Sequence, residues 1–362
     1  MSNEVIFLTG FLVFIGFILA LDLGIFGKKK ETVSLKQAGI MSFLVVSLAV
    51  AFYFLLLSFG DYIHNIGDME RLQYIVQKHK HPIKLIPGDF EHSIGIYNQN
   101  LAMEYITGYI VEYALSVDNI FVILLIFTSF NVEKRNYHRV LFWGIFGAIV
   151  MRFIFIFVGA ALINQFSWIL YIFGAFLVYS GIKMYLERNN HETIDTKDHP
   201  VVKFTNKHFK VYNQFVRDKF WIRKNGILMV TPLFIVLIIV EFTDLIFAVD
   251  SIPAIFTITK DPYIVFFSNI FAILGLRSMF FLLAGVINKL RYLKVGLAVL
   301  LVFIGVKMLA HSYLDEIGFK TTHSLLIIVA IIGTSIIASL INPVNVKDRK
   351  LQYHPEDDKK RH

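Results

Sequence analysis

The sequence predicts an all-α polytopic membrane protein with about nine transmembrane helices. Of its 362 residues, 56% are hydrophobic and only 17% are charged, and the mean hydropathy is +0.63. These values lie outside the range of soluble globular proteins. Apolar stretches of roughly 20 residues, the length that crosses a bilayer, recur along the chain. Because backbone polar groups must be satisfied internally in hydrocarbon, we expect these stretches to be helices.

Nine stretches meet this requirement. They cover residues 5–26, 37–59, 101–130, 137–163, 167–185, 226–256, 263–287, 292–310 and 324–341. The predicted organisation is therefore two N-terminal helices (1–60), an external polar loop (61–100), a first three-helix unit (101–188), a cytoplasmic linker (189–225), a second three-helix unit (226–312), a ninth helix (313–345) and a cytoplasmic tail (346–362).

The charges predict how the chain crosses the bilayer. The first stretch has no basic region before it, Glu4 precedes it and Lys28 to Lys30 follow it, so we expect an anchor rather than a cleaved signal peptide. With nine spans, most of the 35 Lys and Arg residues fall in segments on one side, which the positive-inside rule assigns to the cytoplasm. The N-terminus is then outside and the C-terminus is cytoplasmic. Topology and lipid contact also explain the net charge of +8, and we expect no nucleic-acid binding.

The two three-helix units, 101–188 and 226–312, resemble each other as an inverted repeat. The motif that begins at Glu112 aligns with the motif around Asp244, and Arg152 then aligns with Arg277. Further on, the segment 176–184 aligns with 300–308. Because each unit holds three helices, predicted helices 3–5 and 6–8, the second copy enters the membrane inverted. Secondary transporters are built this way, with the substrate at the midplane between the copies.

Carboxylates inside the predicted helices are the main indication of function. They are Asp22, Glu104, Glu112, Asp118, Glu241, Asp244 and Asp250. A charged group at the bilayer centre costs about 2.5–3.5 kcal/mol even on lenient scales, so such groups mark pathways or buried sites. Glu112 and Asp244 lie near mid-depth. Asn119 shares a helical face with Glu112, Ser251 shares one with Asp244, and Glu241 precedes Asp244 by one turn.

Asp118 and Asp250 would point away from these faces in unbroken helices. Either they line a neighbouring face, or the helices are locally unwound there, which Pro253 would assist in the second copy. We favour unwinding.

The chain has no cysteine, which excludes thiolate metal sites and disulfides. Carboxylate, amide and hydroxyl oxygens suit hard cations such as Mn²⁺, Mg²⁺ or Ca²⁺. We therefore predict that a divalent cation binds Glu112, Asp118, Asp244 and Asp250. Arg152 and Arg277 would balance charge in the empty site, and protons would replace the metal in an exchange cycle. The alternative is that the acids form only structural ion pairs with the two arginines.

The external segment also contains His64, His79, His81 and His92. We expect these side chains to be solvated, with metal capture as the alternative. Glu104, near the outer interface, is either solvated or part of a vestibule.

Three motifs carry a resemblance to a known family: 20–24 (Ala-Leu-Asp-Leu-Gly), 112–119 (Glu-Tyr-Ala-Leu-Ser-Val-Asp-Asn) and 241–251 (Glu-Phe-Thr-Asp-Leu-Ile-Phe-Ala-Val-Asp-Ser). They resemble the TerC family of integral membrane proteins, including its Alx-like members, within the LysE-type transporter grouping. The resemblance implies a bacterial inner-membrane protein associated with tellurite resistance and Mn²⁺ efflux. The family's functional positions fall on Asp22, Glu112, Asp118, Asn119, Asp244, Asp250 and Ser251.

The sequence thus predicts an exporter of a hard divalent cation, with Mn²⁺ as cargo and no permanently bound cofactor. Its expected partners are the metal ion, protons and the lipid bilayer. A membrane scaffold for tellurite or envelope stress is the alternative. An intramembrane aspartyl protease using Asp118 and Asp250 is disfavoured because the Gly-x-Gly-Asp pattern of that class is missing.

Overall fold

The computed structural model describes residues 3–26, 34–166, 168–187, 209–212, 214–224, 226–286, 292–310 and 321–342, with positions 202, 205, 207, 313, 314 and 319. The helices in this part of the chain are α1 (Asn3–Phe26), α2 (Leu35–Phe59), α3 (Met69–His79), α4 (Phe90–Ser129), α5 (Lys134–Gln165), α6 (Ile169–Leu186), α7 (Pro232–Phe256), α8 (Pro262–Val286), α9 (Leu293–Leu309) and α10 (Thr321–Ile341). A 3-10 helix, Gly60–His64, follows α2, and a hairpin of strands β1 (Trp221–Lys224) and β2 (Ile227–Val230) precedes α7.

Seven helices of the described part are long and apolar enough to cross a membrane: α1, α2, α4, α5, α7, α8 and α10. The predicted all-α membrane fold is confirmed. α6 and α9, with 18 and 17 residues, are shorter and stand where the fifth and eighth spans are predicted. Nine spans therefore remain a prediction.

The helix α8 forms the centre of the bundle. In its apolar segment 94% of the residues are buried, whereas 17% are buried in the corresponding segments of α1 and α10. α8 packs against α4, α2 and α5. Phe267 and Phe271 of α8 contact Phe11 of α1 and Phe52 of α2, with ring centroids 4.5–5.6 Å apart. The peripheral helices leave many large apolar side chains exposed, as a lipid-facing surface requires.

The helices α6 and α9 approach each other through their backbones. A Cβ atom on Gly305 would lie 2.7 Å from the carbonyl oxygen of Gly174, and a Cβ atom on Gly181 would lie 2.7 Å from that of Ala298. Small residues at a helix contact are how membrane helices pack closely. The predicted repeat aligns Gly181 with Gly305 and Gly174 with Ala298, so the two contacts are reciprocal. A two-fold relation between the copies would produce this reciprocity, which supports the predicted repeat.

Two predicted boundaries are wrong. The sixth apolar stretch, predicted from residue 226, begins as strand β2, and α7 starts only at Pro232. Gly226 has a φ of 78°, which suits the hairpin turn, and a proline is favoured in the first turn of a helix. The predicted polar loop 61–100 contains α3 and the start of α4. Here Asp68 and Asp89 cap these helices by accepting hydrogen bonds from the backbone N–H groups of Arg71 and His92.

The predicted linker 189–225 lies mostly outside the described residues, and the predicted tail 346–362 lies wholly outside them.

Candidate functional site

Two buried clusters of charged side chains lie at different levels of the bundle. The first, which we call the midplane cluster, consists of Glu112 of α4, Arg152 of α5, Asp244 and Ser251 of α7, and Asn269 of α8. The second, the outer cluster, consists of His64, His79, His81, Glu104 and Asp261.

Arg152 is the hub of the midplane cluster. Its side chain is fully buried, and its Nη1 donates hydrogen bonds to Glu112, to Ser251 Oγ at 3.2 Å and to Asn269 Oδ1 at 3.0 Å. Its Nη2 lies 3.4 Å from Asp244 Oδ1. One guanidinium therefore connects α5 to α4, α7 and α8. The planar fork of five donors makes arginine the side chain suited to this bridging.

The charges of this cluster do not balance. Glu112 and Asp244 bring two carboxylates, and Arg152 brings one cation. Glu112 is completely buried, and its Oε2 atom has no hydrogen-bond partner among the described residues. A buried carboxylate oxygen without a donor is costly. The cluster is therefore suited to receive a further positive charge.

The remaining predicted pathway residues differ in how far they are described. Asn119 of α4 is buried. Glu241 of α7 is half-buried, and its carboxylate packs against Gly147 of α5, where a Cβ atom would overlap with it. The side chains of Asp22, Asp118 and Asp250 lie outside the described part of the structure. That these three side chains belong to the cation pathway therefore stays a prediction.

Arg277, the predicted counterpart of Arg152, lies in α8 and its Nη2 contacts His138 Nε2 of α5. The two arginines are aligned in the repeat, yet the described contacts differ: Arg152 lies against two acids, and Arg277 lies against an imidazole. A charge-balancing role for Arg277 remains a prediction.

The preferred unwinding of the acidic motifs is wrong. The backbone is α-helical throughout α4 at Asp118 and throughout α7 at Asp250, and Pro253 lies within α7. A break at mid-depth would leave several N–H and C=O groups unsatisfied in hydrocarbon, whereas one proline removes a single donor. The helical alternative, with these two residues on a neighbouring face, is the one that the backbone supports.

The outer cluster is a row of three imidazoles between carboxylates. The ring centroids of His64 and His79 are 5.1 Å apart, and those of His79 and His81 are 6.0 Å apart. At one end, His64 Nε2 lies 2.8 Å from Asp261 Oδ2 and His64 Nδ1 lies 3.0 Å from Glu4 Oε1. At the other, His81 Nδ1 lies 3.0 Å from Glu104 Oε1.

Glu104 accepts hydrogen bonds from two further side chains. Thr259 Oγ1 donates to its Oε2 atom at 2.6 Å, and Asn100 Nδ2 donates to its Oε1 atom at 2.7 Å. Its side chain is buried, so the solvated alternative for Glu104 is wrong.

The expectation of solvated histidines is confirmed only for His92, whose side chain is 76% exposed. It is wrong for His64, His79 and His81, which are buried. The chain reverses after α3 with Lys80 in the left-handed conformation, and this turn brings His79 and His81 beneath the 3-10 helix that holds His64. Sequence spacing gives no indication that these histidines contact Asp261 and Glu104, because the two acids come from distant parts of the chain.

Burial and charge act in opposite directions on the outer imidazoles. Burial lowers the pKa of His79, which favours the neutral ring. Burial also acts to lower the pKa of His81, but the charge and hydrogen bond of Glu104 outweigh it and the pKa is raised. For Asp261, burial acts to raise the pKa, but the charges of His64, His79 and His81 and the hydrogen bond with His64 together outweigh it, and the pKa is lowered.

The fold and these clusters define a class: a multi-pass, all-α integral membrane protein with charged groups buried in its helix bundle. Comparison with known proteins is consistent with this class and narrows it. The model of the integral membrane protein TerC family matches residues 97–347. The chain therefore belongs to the TerC family.

Relatives match most of its length. An uncharacterized membrane protein of Myxococcus xanthus is 40% identical over 92% of this chain and 91% of its own. A protein of Escherichia coli K12 named "Putative membrane-bound redox modulator Alx" is 43% identical over 83% of this chain and 84% of its own. An uncharacterized membrane protein of Rickettsia bellii is 39% identical over 92% of this chain and 96% of its own. No solved structure matches the chain significantly.

Proposed function

We propose that this protein exports a hard divalent cation, Mn²⁺, across the bacterial inner membrane in exchange for protons. The observation that carries this proposal is the excess of negative charge in the midplane cluster, where Glu112 and Asp244 face the single cation of Arg152 in a buried position. An intramembrane ionisable group indicates a functional site by default, and two acids against one arginine exceed what a structural ion pair needs.

In this proposal the guanidinium of Arg152 occupies the place of the cargo while the site is empty. An arriving Mn²⁺ would take the oxygens of Glu112 and Asp244, with the hydroxyl of Ser251 and the amide of Asn269 beside them. These are the oxygen ligands that hard divalent cations prefer. Asp118, Asn119 and Asp250 would add ligands along the pathway, and Asp22 and Glu241 would line its approaches.

After the cation is released, one carboxylate would take up a proton and the other would pair again with Arg152. Together these two events would restore a site of low net charge, which is the condition for the empty protein to reorient in the membrane. The N-terminus would lie outside and the C-terminus in the cytoplasm, as the distribution of cations predicts. Transport in this direction would contribute to metal homeostasis and to tellurite resistance.

The name of the Escherichia coli relative includes redox modulation. This chain contains no cysteine, so thiol–disulfide exchange is not available to it. We therefore attribute any redox effect of this protein to the metal that it moves.

Mn²⁺ flux into proteoliposomes, measured with and without a pH gradient, tests this proposal. We expect the gradient to accelerate flux and Asp244→Asn to reduce it at least about tenfold, the factor that corresponds to 1.4 kcal/mol of lost binding. The matched control is Asp218→Asn, whose carboxylate is 58% exposed and pairs with Arg139 near the start of α5, outside the midplane cluster. The control should transport like the wild type.

Equal flux in the wild type and Asp244→Asn would refute transport through the midplane cluster. Flux that is absent from both, together with retained tellurite tolerance in cells carrying Asp244→Asn, would favour the scaffold alternative.

A further inference from the structure

The outer cluster contains donor atoms that the structure leaves unused. His79 is 3% exposed, yet neither its Nδ1 nor its Nε2 atom has a hydrogen-bond partner among the described residues. The Nε2 atom of His81, also buried, is in the same situation. Buried polar atoms are nearly always satisfied, and each exception needs a cause such as an ion.

The unused nitrogen of His79 points to a metal because of what surrounds it. One ligand atom from each of His64, His79 and Asp261 can be chosen so that all three lie within 4.8 Å of one another. Ligands around a tetrahedral Zn²⁺ at 2.0–2.2 Å lie roughly 3.3–3.6 Å apart, so small side-chain rotations would close the set. The hydrogen bond of 2.8 Å between His64 and Asp261 already brings two of the three together.

The three residues come from three separate elements. His64 ends the 3-10 helix, His79 ends α3, and Asp261 lies in the turn between α7 and α8. The clustering therefore depends on the tertiary fold and is not a result of local sequence spacing. Glu4 at the rim, with its side chain 18% exposed, offers a negatively charged entry for a cation.

We propose that His64, His79 and Asp261 form a second metal site, separate from the midplane cluster, that binds a borderline divalent cation of the Zn²⁺ type. Two imidazoles and one carboxylate are the donor set of three-ligand zinc sites, which keep a fourth position for water. Imidazole favours Zn²⁺ over Mn²⁺ in the order of divalent-metal affinities, so the two sites select different ions.

Metal at this site would fasten the outer cap of the protein, residues 60–89, to the turn that leads into α8. Ligands that bind only the folded state stabilise it in proportion to the logarithm of their concentration over Kd. Zn²⁺ should therefore raise the melting temperature of the chelator-treated protein, while Mg²⁺ at the same concentration should not.

The direct test is Zn²⁺ titration of the full-length protein in detergent by calorimetry, after treatment with chelator. We expect His79→Gln to weaken Zn²⁺ binding at least about tenfold, since removing even an outer partner of a metal ligand costs 10–100-fold. Because the His79 ring donates and accepts no hydrogen bond in the described structure, this replacement should preserve the fold.

Two variants serve as controls. His92→Gln replaces an exposed histidine of the same region and should bind Zn²⁺ like the wild type. Asp244→Asn alters the midplane cluster, so it separates the two sites: it should keep the Zn²⁺ binding at the outer cluster that His79→Gln loses. The proposal is overturned if His79→Gln binds Zn²⁺ as tightly as the wild type, or if Asp244→Asn abolishes the binding that His79→Gln retains.

X-ray absorption of the zinc-loaded wild type keeps the test independent of any variant. We expect scattering from two imidazoles and from oxygen ligands around the metal. A coordination shell made of oxygen alone would contradict the proposal and would assign the outer cluster to hydrogen bonding only.

Discussion

The midplane and outer clusters both bury charge, but they balance it by different means. In the midplane cluster, two carboxylates face a guanidinium that keeps its proton at every physiological pH. In the outer cluster, carboxylates face imidazoles, which become metal ligands once they lose a proton. The comparison teaches that a permanent cation must be displaced by the cargo, whereas an imidazole is able to bind the metal itself. The two sites therefore suit different ions and different roles.

The largest expected effect comes from Arg152→Met, which leaves Glu112 and Asp244 buried without their cation. Breaking a buried pair by removing one partner costs about 3–5 kcal/mol of the free energy of unfolding. Denaturant unfolding in micelles, followed by circular dichroism, measures it. Adding Glu112→Gln to Arg152→Met should recover part of the loss, because one uncompensated charge is then removed. A stability of Arg152→Met equal to that of the wild type would show that the midplane charges are not coupled.

A smaller loss of stability is expected from Gly305→Ala. This variant tests whether a change at the α6–α9 contact leaves Zn²⁺ binding at the outer cluster unchanged. The added methyl group would meet the carbonyl oxygen of Gly174 at 2.7 Å and force the helices apart. Overpacking of this kind costs about 1–3 kcal/mol of the free energy of unfolding. Gly333→Ala on α10, where a Cβ atom has no neighbour within 4 Å, is the control and should be nearly neutral.

Calorimetry on the same variant addresses the outer cluster, and we expect its Zn²⁺ affinity to be unchanged. If Gly305→Ala loses stability and Zn²⁺ affinity together, the two regions are not independent and the comparison fails.

The smallest effect is expected from Thr259→Val in the outer cluster. It removes the hydrogen bond that Thr259 Oγ1 donates to Glu104 Oε2 and the one that it accepts from the backbone N–H of Asp261. We expect a loss of about 1 kcal/mol in the free energy of unfolding with unchanged Mn²⁺ flux. Thr257→Val is the matched control, because the hydroxyl of Thr257 bonds only within its own turn, to the carbonyl oxygen of Ala254. Equal losses of unfolding free energy in the two variants would show that the hydrogen bond to Glu104 stabilises the protein no more than a bond within one helical turn.

The fold and part of the midplane cluster could be predicted from the sequence. Apolar stretches of bilayer length have one structural solution, so the helices follow from composition. The shared depth of Glu112 and Asp244 follows from helical rise, and Arg152 was recognised as their counter-charge. Its hydrogen bond to Asn269 was not predicted, because that contact depends on how α8 packs between the two units.

The outer cluster could not be predicted, because it depends on the turn after α3. Four histidines in a polar segment are ordinarily solvated, and the burial of three of them requires a cap that folds back on the bundle. The unwound motifs were predicted wrongly because the cost of breaking backbone hydrogen bonds in hydrocarbon outweighs the advantage of reorienting one side chain.

Mn²⁺ flux through Glu112→Gln proteoliposomes tests the central claim most directly, since this change removes the more deeply buried of the two carboxylates in the midplane cluster and keeps the shape of the side chain. The matched control is Glu91→Gln, an exposed acid in the first turn of the same helix. We predict that Glu91→Gln transports Mn²⁺ like the wild type and that Glu112→Gln loses at least about 90% of the flux, a tenfold change. Wild-type flux in Glu112→Gln would contradict the account.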